Sequence, residues 1–295
     1  MDDESVWFLW PGLAQAGGEA FEDAELSFRV FQRRTFRAFA FPRELGKMGS
    51  REAKLSREGL ERLPILAYHR IANSGPVGLR EYRLPVQAFE AQVSYLRQQG
   101  YYSVDLFEWS LGKLTGKPAS GRPILITFDD GYRDFIDFAW PVLHRHGLSA
   151  MVFVVTHKVG SVSDWDLSFG NPAPLLDWAQ IRQLRCEGVR FGSHTATHQP
   201  LSNIPIEDAI KEATRSRTLL QQQLGEEVDA IAYPWGVSDA RIRRELIRCG
   251  YKLGLTTNSG IAALNDDLMA LPRIEIFGSD SLAAFAKKLE SAAVV

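Results

Sequence analysis

The amino-acid sequence predicts an α/β fold whose core is a parallel β-sheet. From about residue 60 onward, seven or eight short apolar runs alternate with segments in which apolar residues recur at helical spacing. Strands that alternate with helices form βα units, and such units build parallel sheets. Several runs, such as ILITF at 124–128 and AMVFVV at 150–155, are apolar at nearly every position. Runs of this kind are typical of strands that are buried on both faces.

In the first half of this region, the segment 86–98 is the clearest helix, because its large apolar residues fall three or four positions apart. The run DFIDFAWPVLHRHG is also predicted to be helical, although Pro141 should interrupt or kink it. Strands are expected at 64–69, 101–106, 124–128 and 150–155.

The second half continues the same alternation after one long irregular stretch, Lys158–Asp177. A loop of this length inside a compact domain is usually functional or disordered. Helices are expected at 178–187, at 206–224, from a cap at Ser238 to Cys249, and at about 281–291. Strands are expected at 189–193, 230–234, 252–257 and 273–277.

The composition excludes several classes of protein. Lysine and arginine number 34 and aspartate and glutamate 36, so the net charge of −2 predicts no nucleic-acid partner and no general attraction to anionic membranes. Two cysteines are too few for a disulfide scaffold or a cysteine-rich zinc site. No stretch approaches the roughly 20 apolar residues of a membrane span. The oligomeric state is left open by the sequence.

Residues 1–60 are predicted to be an N-terminal extension, followed by the functional domain at 61–295. Residues 1–47 hold seven of the 17 phenylalanines but show no helical or strand periodicity. Met48 is an alternative start, since regular structure begins soon after it. The apolar patch VWFLW follows acidic residues and is too short for an export signal, which predicts a cytoplasmic protein by default.

Polar residues follow four of the predicted strands. His69 follows ILAY, Asp129 and Asp130 follow ILITF, His194 follows VRFGS, and the Pro234–Trp235–Gly236 turn follows AIAY. In a parallel barrel the carboxyl ends of all strands meet on one face, where active sites are built. The sequence therefore predicts one site at this face.

The residue types at these strand ends suggest a metal centre. His194 and His198 are four residues apart, so one helical turn would place both imidazoles on one face. Together with a carboxylate they would form a two-histidine, one-aspartate zinc site with an open position for water. The adjacent carboxylates of Asp129 and Asp130 point in different directions, so one could bind the metal while the other moves protons.

Each feature also has a structural interpretation. The aspartate pair could cap a helix or sit in a loop, and the histidine pair could be solvated or capping. His69 alone would more often be a core or loop histidine. The aromatic residues near the long loop, Trp165, Phe169 and Trp178, could stack on sugar rings or pack the loop down.

Three motifs in this order resemble the polysaccharide deacetylases of carbohydrate esterase family 4, the NodB-homology domain. They are ITFDDGYRD (126–134), GSHTATHQPL (192–201) and AYPWG (232–236), and the similarity covers roughly residues 62–290. The resemblance implies a distorted (β/α)7 barrel that removes acetyl groups from amino-sugar polysaccharides. It implies that Asp129 is the catalytic base, that Asp130, His194 and His198 hold the metal, and that Trp235 donates its backbone N–H to the oxyanion.

Two departures from the usual family pattern point to a circularly permuted subgroup, typified by poly-N-acetylglucosamine deacetylases. The third motif has Ala232 where an arginine is usual, and no histidine follows residue 198. In the permuted subgroup the histidine comes early, in a motif like LAYHRI, which implies His69. The arginine comes late, in a motif like LPRIEI, which implies Arg273, although here it begins its predicted strand.

The resemblance implies a hydrolase with one divalent ion, zinc in the first instance, whose substrate is an acetylated amino-sugar glycan. Asp129 would activate water, Arg273 would orient Asp129, and His69 would protonate the departing amine. Two alternatives remain open: a deacylase of a small amide or lipid-linked sugar on the same scaffold, and a non-catalytic sugar-binding relative. Family members are often exported, whereas this sequence shows no signal peptide.

Overall fold

A computed structural model describes residues 61–114 and 121–293 of the chain. Its centre is a closed barrel of seven parallel strands surrounded by helices, which confirms the predicted distorted (β/α)7 architecture. The predicted extension, residues 1–60, lies outside the described residues. None of the helices in the described part of the chain is long and apolar enough to cross a membrane.

Twelve strands are formed within the described residues. In chain order they are β1 (Arg62–Leu63), β2 (Ile65–Tyr68), β3 (Arg70–Ile71), β4 (Arg83–Leu84), β5 (Tyr101–Ser103), β6 (Arg122–Phe128), β7 (Met151–Val154), β8 (Arg190–Ser193), β9 (Ala230–Ala232), β10 (Leu253–Ser259), β11 (Ala262–Ala263) and β12 (Leu271–Glu275).

The barrel order is β2-β12-β10-β9-β8-β7-β6, and pairing of β2 with β6 closes it. In that closing pair, Ile65 lies opposite Leu125 and Tyr68 opposite Phe128. Strand β5 adds to the first half of β6 outside the barrel. Two short pairs, β1 with β11 and β3 with β4, flank the barrel.

Seven α-helices accompany the strands in the same described part of the chain. They are α1 (Val86–Gln98), α2 (Leu106–Ser110), α3 (Trp140–Arg145), α4 (Trp178–Cys186), α5 (Ile206–Leu224), α6 (Ala240–Arg248) and α7 (Leu282–Ala293). A π-helical turn, Phe135–Ala139, precedes α3, so Pro141 falls in the first turn of a new helix, where its missing N–H costs no hydrogen bond. The predicted interruption is confirmed.

Successive residues of each strand alternate between two apolar cores. Ile65, Leu125, Phe153 and Leu271 belong to a cluster that fills the barrel, while Leu66, Ile126 and Val152 pack against the surrounding helices. The same alternation places side chains two residues further along on the inner face, where Thr127, Asp129 and Arg273 follow Leu125 and Leu271. Polar groups thus replace the apolar filling at the carboxyl end of the barrel.

Two sequence predictions are wrong, one on the bounds of a strand and one on the cap of a helix. The final strand is Leu271–Glu275 rather than 273–277, so Arg273 lies in the middle of β12. The strand begins earlier than predicted because Leu271 pairs with Leu255 and Arg273 with Ser259 of β10. Helix α6 is capped by Asp239, whose carboxylate accepts a hydrogen bond from Ile242 N at 2.8 Å, and not by Ser238.

We predict that Asp239→Ala lowers the free energy of unfolding by about 1 kcal/mol, because α6 loses its N-terminal cap. Ser238→Ala is the matched control and should change it by less than about 0.5 kcal/mol, as for other surface substitutions. Urea unfolding followed by circular dichroism measures both values. Equal losses in the two variants would contradict the assignment of the cap.

Candidate active site

Asp129 and Arg273 form a buried ion pair at the mouth of the barrel. Arg273 Nη1 donates to Asp129 Oδ1 at 2.8 Å, and Nη2 donates to Oδ2 at 2.6 Å. The side chain of Arg273 is fully buried, and its Nε donates to the carbonyl oxygen of Thr256 at 2.8 Å. Nη1 also donates to Thr127 Oγ1 at 3.2 Å. The parallel fork fixes the plane of the Asp129 carboxylate.

The guanidinium keeps this carboxylate ionised. Burial alone would raise the pKa of Asp129, but the charge and hydrogen bonds of Arg273 outweigh burial and lower it below its usual value. Asp129 is therefore a carboxylate at neutral pH. The structure thus places Arg273 against Asp129, in the arrangement that the family resemblance implied.

The neighbouring carboxylate, Asp130, points at two imidazoles instead. Its Oδ1 lies 3.3 Å from His194 Nε2 and 3.1 Å from His198 Nε2. One potential ligand atom from each of these three buried residues lies within 4.8 Å of the other two. The predicted Asp130–His194–His198 cluster is therefore assembled.

The three residues fit a divalent metal ion. His194 Nδ1 lies 2.8 Å from the carbonyl oxygen of Ala232, which accepts its proton and leaves the Nε2 lone pair facing Asp130. Despite the short distances, Asp130 Oδ1 is buried with no hydrogen-bond partner. Acceptors that converge without hydrogens between them are a ligand set, and two imidazoles with one carboxylate suit zinc.

The spacing of the two histidines predicted a helical turn, and this prediction is wrong. After β8 the chain forms an irregular turn, in which Thr195 Oγ1 accepts a hydrogen bond from His198 N at 3.1 Å. Glu212 of α5 accepts hydrogen bonds from Thr197 N and Oγ1, at 2.7 and 3.0 Å. Hydrogen bonds from side chains, rather than helical periodicity, bring the imidazoles together.

Unusual backbone conformations are concentrated at this site. Among the described residues, four non-glycine residues have a left-handed φ, and all four lie here: Asp130 (72°), Thr195 (64°), His198 (66°) and Trp235 (62°). Such conformations cost free energy in L-residues and are retained where the surroundings impose them. The left-handed φ of Asp130 turns its side chain away from that of Asp129. A sequence motif does not reveal this feature.

The long loop before α4 contributes an aromatic side chain to the site, which the sequence alone did not establish. The half-buried ring of Trp165 stacks on His198, with centroids 4.5 Å apart. The next residue, Asp166, is buried and accepts a hydrogen bond from Tyr132 Oη at 2.7 Å. Tyr132 follows the aspartate pair, so this bond ties the loop to the segment that carries Asp130. Trp178, by contrast, packs against the outer core.

His69 and Trp235 lie at the same face of the barrel. His69 follows β2 and is close enough to Asp129 to lower its pKa, and its ring packs against Tyr82 with centroids 5.0 Å apart. Its Nδ1 is buried without a hydrogen-bond partner. Trp235 follows β9, is 55% exposed, and lies 5.7 Å from His198 between ring centroids. All seven residues singled out from the sequence thus lie together at the carboxyl end of the barrel.

Known proteins are similar to this chain in sequence. Residues 116–254 match the family described as polysaccharide deacetylase. The protein YxkH of Bacillus subtilis is 29% identical over 230 residues, which cover 78% of this chain and 77% of that relative. The poly-beta-1,6-N-acetyl-D-glucosamine N-deacetylase of Escherichia coli is 25% identical over 236 residues, 68% of this chain but only 35% of that longer protein.

A solved structure shares the fold. The deacetylase PplD of Streptococcus pyogenes, determined in complex with acetate, superposes with a TM-score of 0.66 at 28% identity. The match covers 77% of this chain and 97% of that one.

We predict that Arg273→Met lowers the free energy of unfolding by about 3–5 kcal/mol, because it leaves the buried Asp129 carboxylate without a counter-charge. Arg145→Met is the control, since Arg145 pairs with Glu90 on the surface and its loss should cost less than about 1 kcal/mol. Urea denaturation at pH 7 measures both. A loss for Arg273→Met no larger than that of the control would contradict the ion pair.

Proposed function

We propose that this chain, which carries a domain of the polysaccharide deacetylase family, removes N-acetyl groups from an acetylated amino-sugar glycan with one bound zinc ion. The proposal is supported by the family match, by relatives named as N-deacetylases and by the Asp130–His194–His198 cluster. One observation carries it furthest: two adjacent carboxylates have separate partners, a guanidinium for Asp129 and two imidazoles for Asp130.

Asp130, His194 and His198 would hold the metal. When bound, a divalent ion at these residues supplies Lewis-acid polarisation of the acetyl carbonyl and lowers the pKa of water. The Ala232 carbonyl keeps His194 in the tautomer that ligation needs. Trp165 covers one face of the His198 ring and excludes water from it.

Asp129 is proposed as the general base. Each of its oxygens accepts one hydrogen bond from Arg273 and keeps a lone pair that can take a proton from the attacking water. Arg273 is a positioning residue, because it holds the carboxylate ionised and fixes its plane. With the rigid fork on one side, the remaining lone pairs are directed away from Arg273.

His69 and Trp235 are proposed to complete the reaction. As the C–N bond breaks, the imidazole of His69 would donate a proton to the leaving amine. The backbone N–H of Trp235 would donate a hydrogen bond to the oxyanion that forms from the acetyl carbonyl. The left-handed conformation of Trp235 sets the direction of its peptide N–H at the strand end.

Substitutions of the two aspartates should separate base from ligand. We expect Asp129→Asn to retain about one metal ion per chain while losing about 10²- to 10⁴-fold in kcat, the usual contribution of a general base. Asp130→Asn, His194→Ala and His198→Ala should instead lose bound metal. Elemental analysis and acetate release from N-acetylglucosamine oligomers measure the two effects. If Asp129→Asn loses the metal and Asp130→Asn retains it, the two roles are reversed.

His69→Ala should lower turnover of amide substrates while metal content stays unchanged, because an amine must be protonated to leave. An acetate ester of a phenol should be affected much less, since a phenoxide leaves without a proton. Parallel rates on an N-acetyl oligosaccharide and a phenyl acetate test this difference. Equal losses on both substrates would refute the role of His69 as general acid.

A further inference from the structure

A second concave region lies beside the proposed site. It is a groove of about 650 Å³ between the segment after β3 and the long loop before α4. Its walls are mostly apolar and include Pro76, Val77, Phe169 and Pro172, of which Val77 is 85% exposed. Walls of this kind suit the apolar faces of a sugar ring.

Two segments that border the groove are connected to the site residues. Arg70, which lines it, directly follows His69 in the chain. On the opposite side, Pro174 lines the groove, and its carbonyl oxygen accepts a hydrogen bond from Arg133 N at 2.9 Å, three residues after Asp130. A glycan chain that presents one sugar to the metal cluster can therefore place a neighbouring sugar here.

Arg70 has unused hydrogen-bonding capacity at the base of this groove. The residue is only 9% exposed, and its Nε donates to Asp134 Oδ2 at 2.8 Å. Its guanidinium also lies over the Tyr132 ring, 5.2 Å from the centroid. Within the described part of the chain, neither Nη1 nor Nη2 of Arg70 has a hydrogen-bond partner. A nearly buried guanidinium with two free amino groups is suited to bind a carboxylate.

A second arginine, Arg83, adds positive charge to the same end of the groove. A side chain at Gly75 would meet Arg83 Nη1 at 2.6 Å and Arg70 Nη1 at 3.2 Å, so both guanidiniums border this glycine. Burial and the charges of Arg70 and Arg80 lower the pKa of Arg83. Among the described residues, neither Arg80 nor Arg83 has a carboxylate oxygen within 4.0 Å. Among the described residues, Asp134 is therefore the one carboxylate that forms an ion pair with Arg70 or Arg83.

We propose that this groove binds a sugar that carries a carboxylate, next to the sugar that is deacetylated. The guanidinium of Arg70 contacts the carboxylate, Arg83 strengthens the positive potential, and the apolar walls contact the ring. This inference rests on the proposed function, since it extends the substrate to a glycan in which an acidic sugar neighbours the N-acetylated one.

The test uses the full chain loaded with zinc and two probes that contain no acetyl group. Methyl glucuronide and methyl glucoside differ only at C6, which is a carboxylate in the first and a hydroxymethyl group in the second. Their dissociation constants can be measured by ligand-observed NMR. We expect the glucuronide to bind about tenfold more tightly or better, as a charge-assisted hydrogen-bond pair allows. Arg83→Gln and Arg70→Lys should each weaken glucuronide binding about tenfold. Arg145→Gln, an exposed arginine away from the groove, is the matched control.

Several outcomes would overturn the inference. They are equal affinities for the two probes, no binding of either at millimolar concentration, or no change in Arg83→Gln. Tighter binding of inorganic phosphate than of the glucuronide would show that the arginines recognise phosphate and would refute the carboxylate assignment. Acetate release from neutral N-acetylglucosamine oligomers is measured in parallel, and the control Arg145→Gln should retain it. If the wild type releases none from any acetylated glycan, the proposed function fails independently of the groove.

Discussion

The ion pair between Arg273 and Asp129 is the constraint on which the rest of the site depends. Arg273 reaches past β2 from the middle of β12 and meets the end of β6, 144 residues away in sequence. Because both carboxylate oxygens are held by the guanidinium, Asp129 cannot turn toward the histidines. The adjacent Asp130 is then the carboxylate free to face them. One buried pair thus gives two chemically identical neighbours different partners.

This division requires a backbone that the barrel alone would not adopt. In a regular strand, consecutive side chains point to opposite faces. Strand β6 ends at Phe128, however, so both aspartates lie beyond it. A left-handed φ at Asp130 turns its carboxylate toward the histidines. The positions of the histidines also depend on left-handed backbone conformations, at Thr195 and His198. The apolar core of the barrel supplies the stability that offsets the free-energy cost of these conformations. Strain of this kind is concentrated where geometry has to be fixed for chemistry.

Much of the site could be predicted because parallel strands end on one face. The apolar runs located Asp129, Asp130 and His194 at that face, and the motifs supplied their grouping. Arg273 was harder to place, because Pro272 and Arg273 interrupt the apolar run and made the strand seem to begin two residues too late. The stacking of Trp165 on His198 depends on the path of a long loop without periodicity. Spacing alone also suggested a helical turn for the histidines, where side-chain hydrogen bonds fold the chain differently.

The most direct test of this division is the anomalous diffraction signal of zinc-loaded crystals. It should show one peak, with His194 Nε2 and His198 Nε2 at about 2.0–2.1 Å and one oxygen of Asp130 at about 2.0–2.2 Å. Asp129 should remain in its two-bonded contact with Arg273, outside direct ligation. A peak ligated by Asp129 in place of Asp130, or no peak at these residues at saturating zinc, would contradict the account.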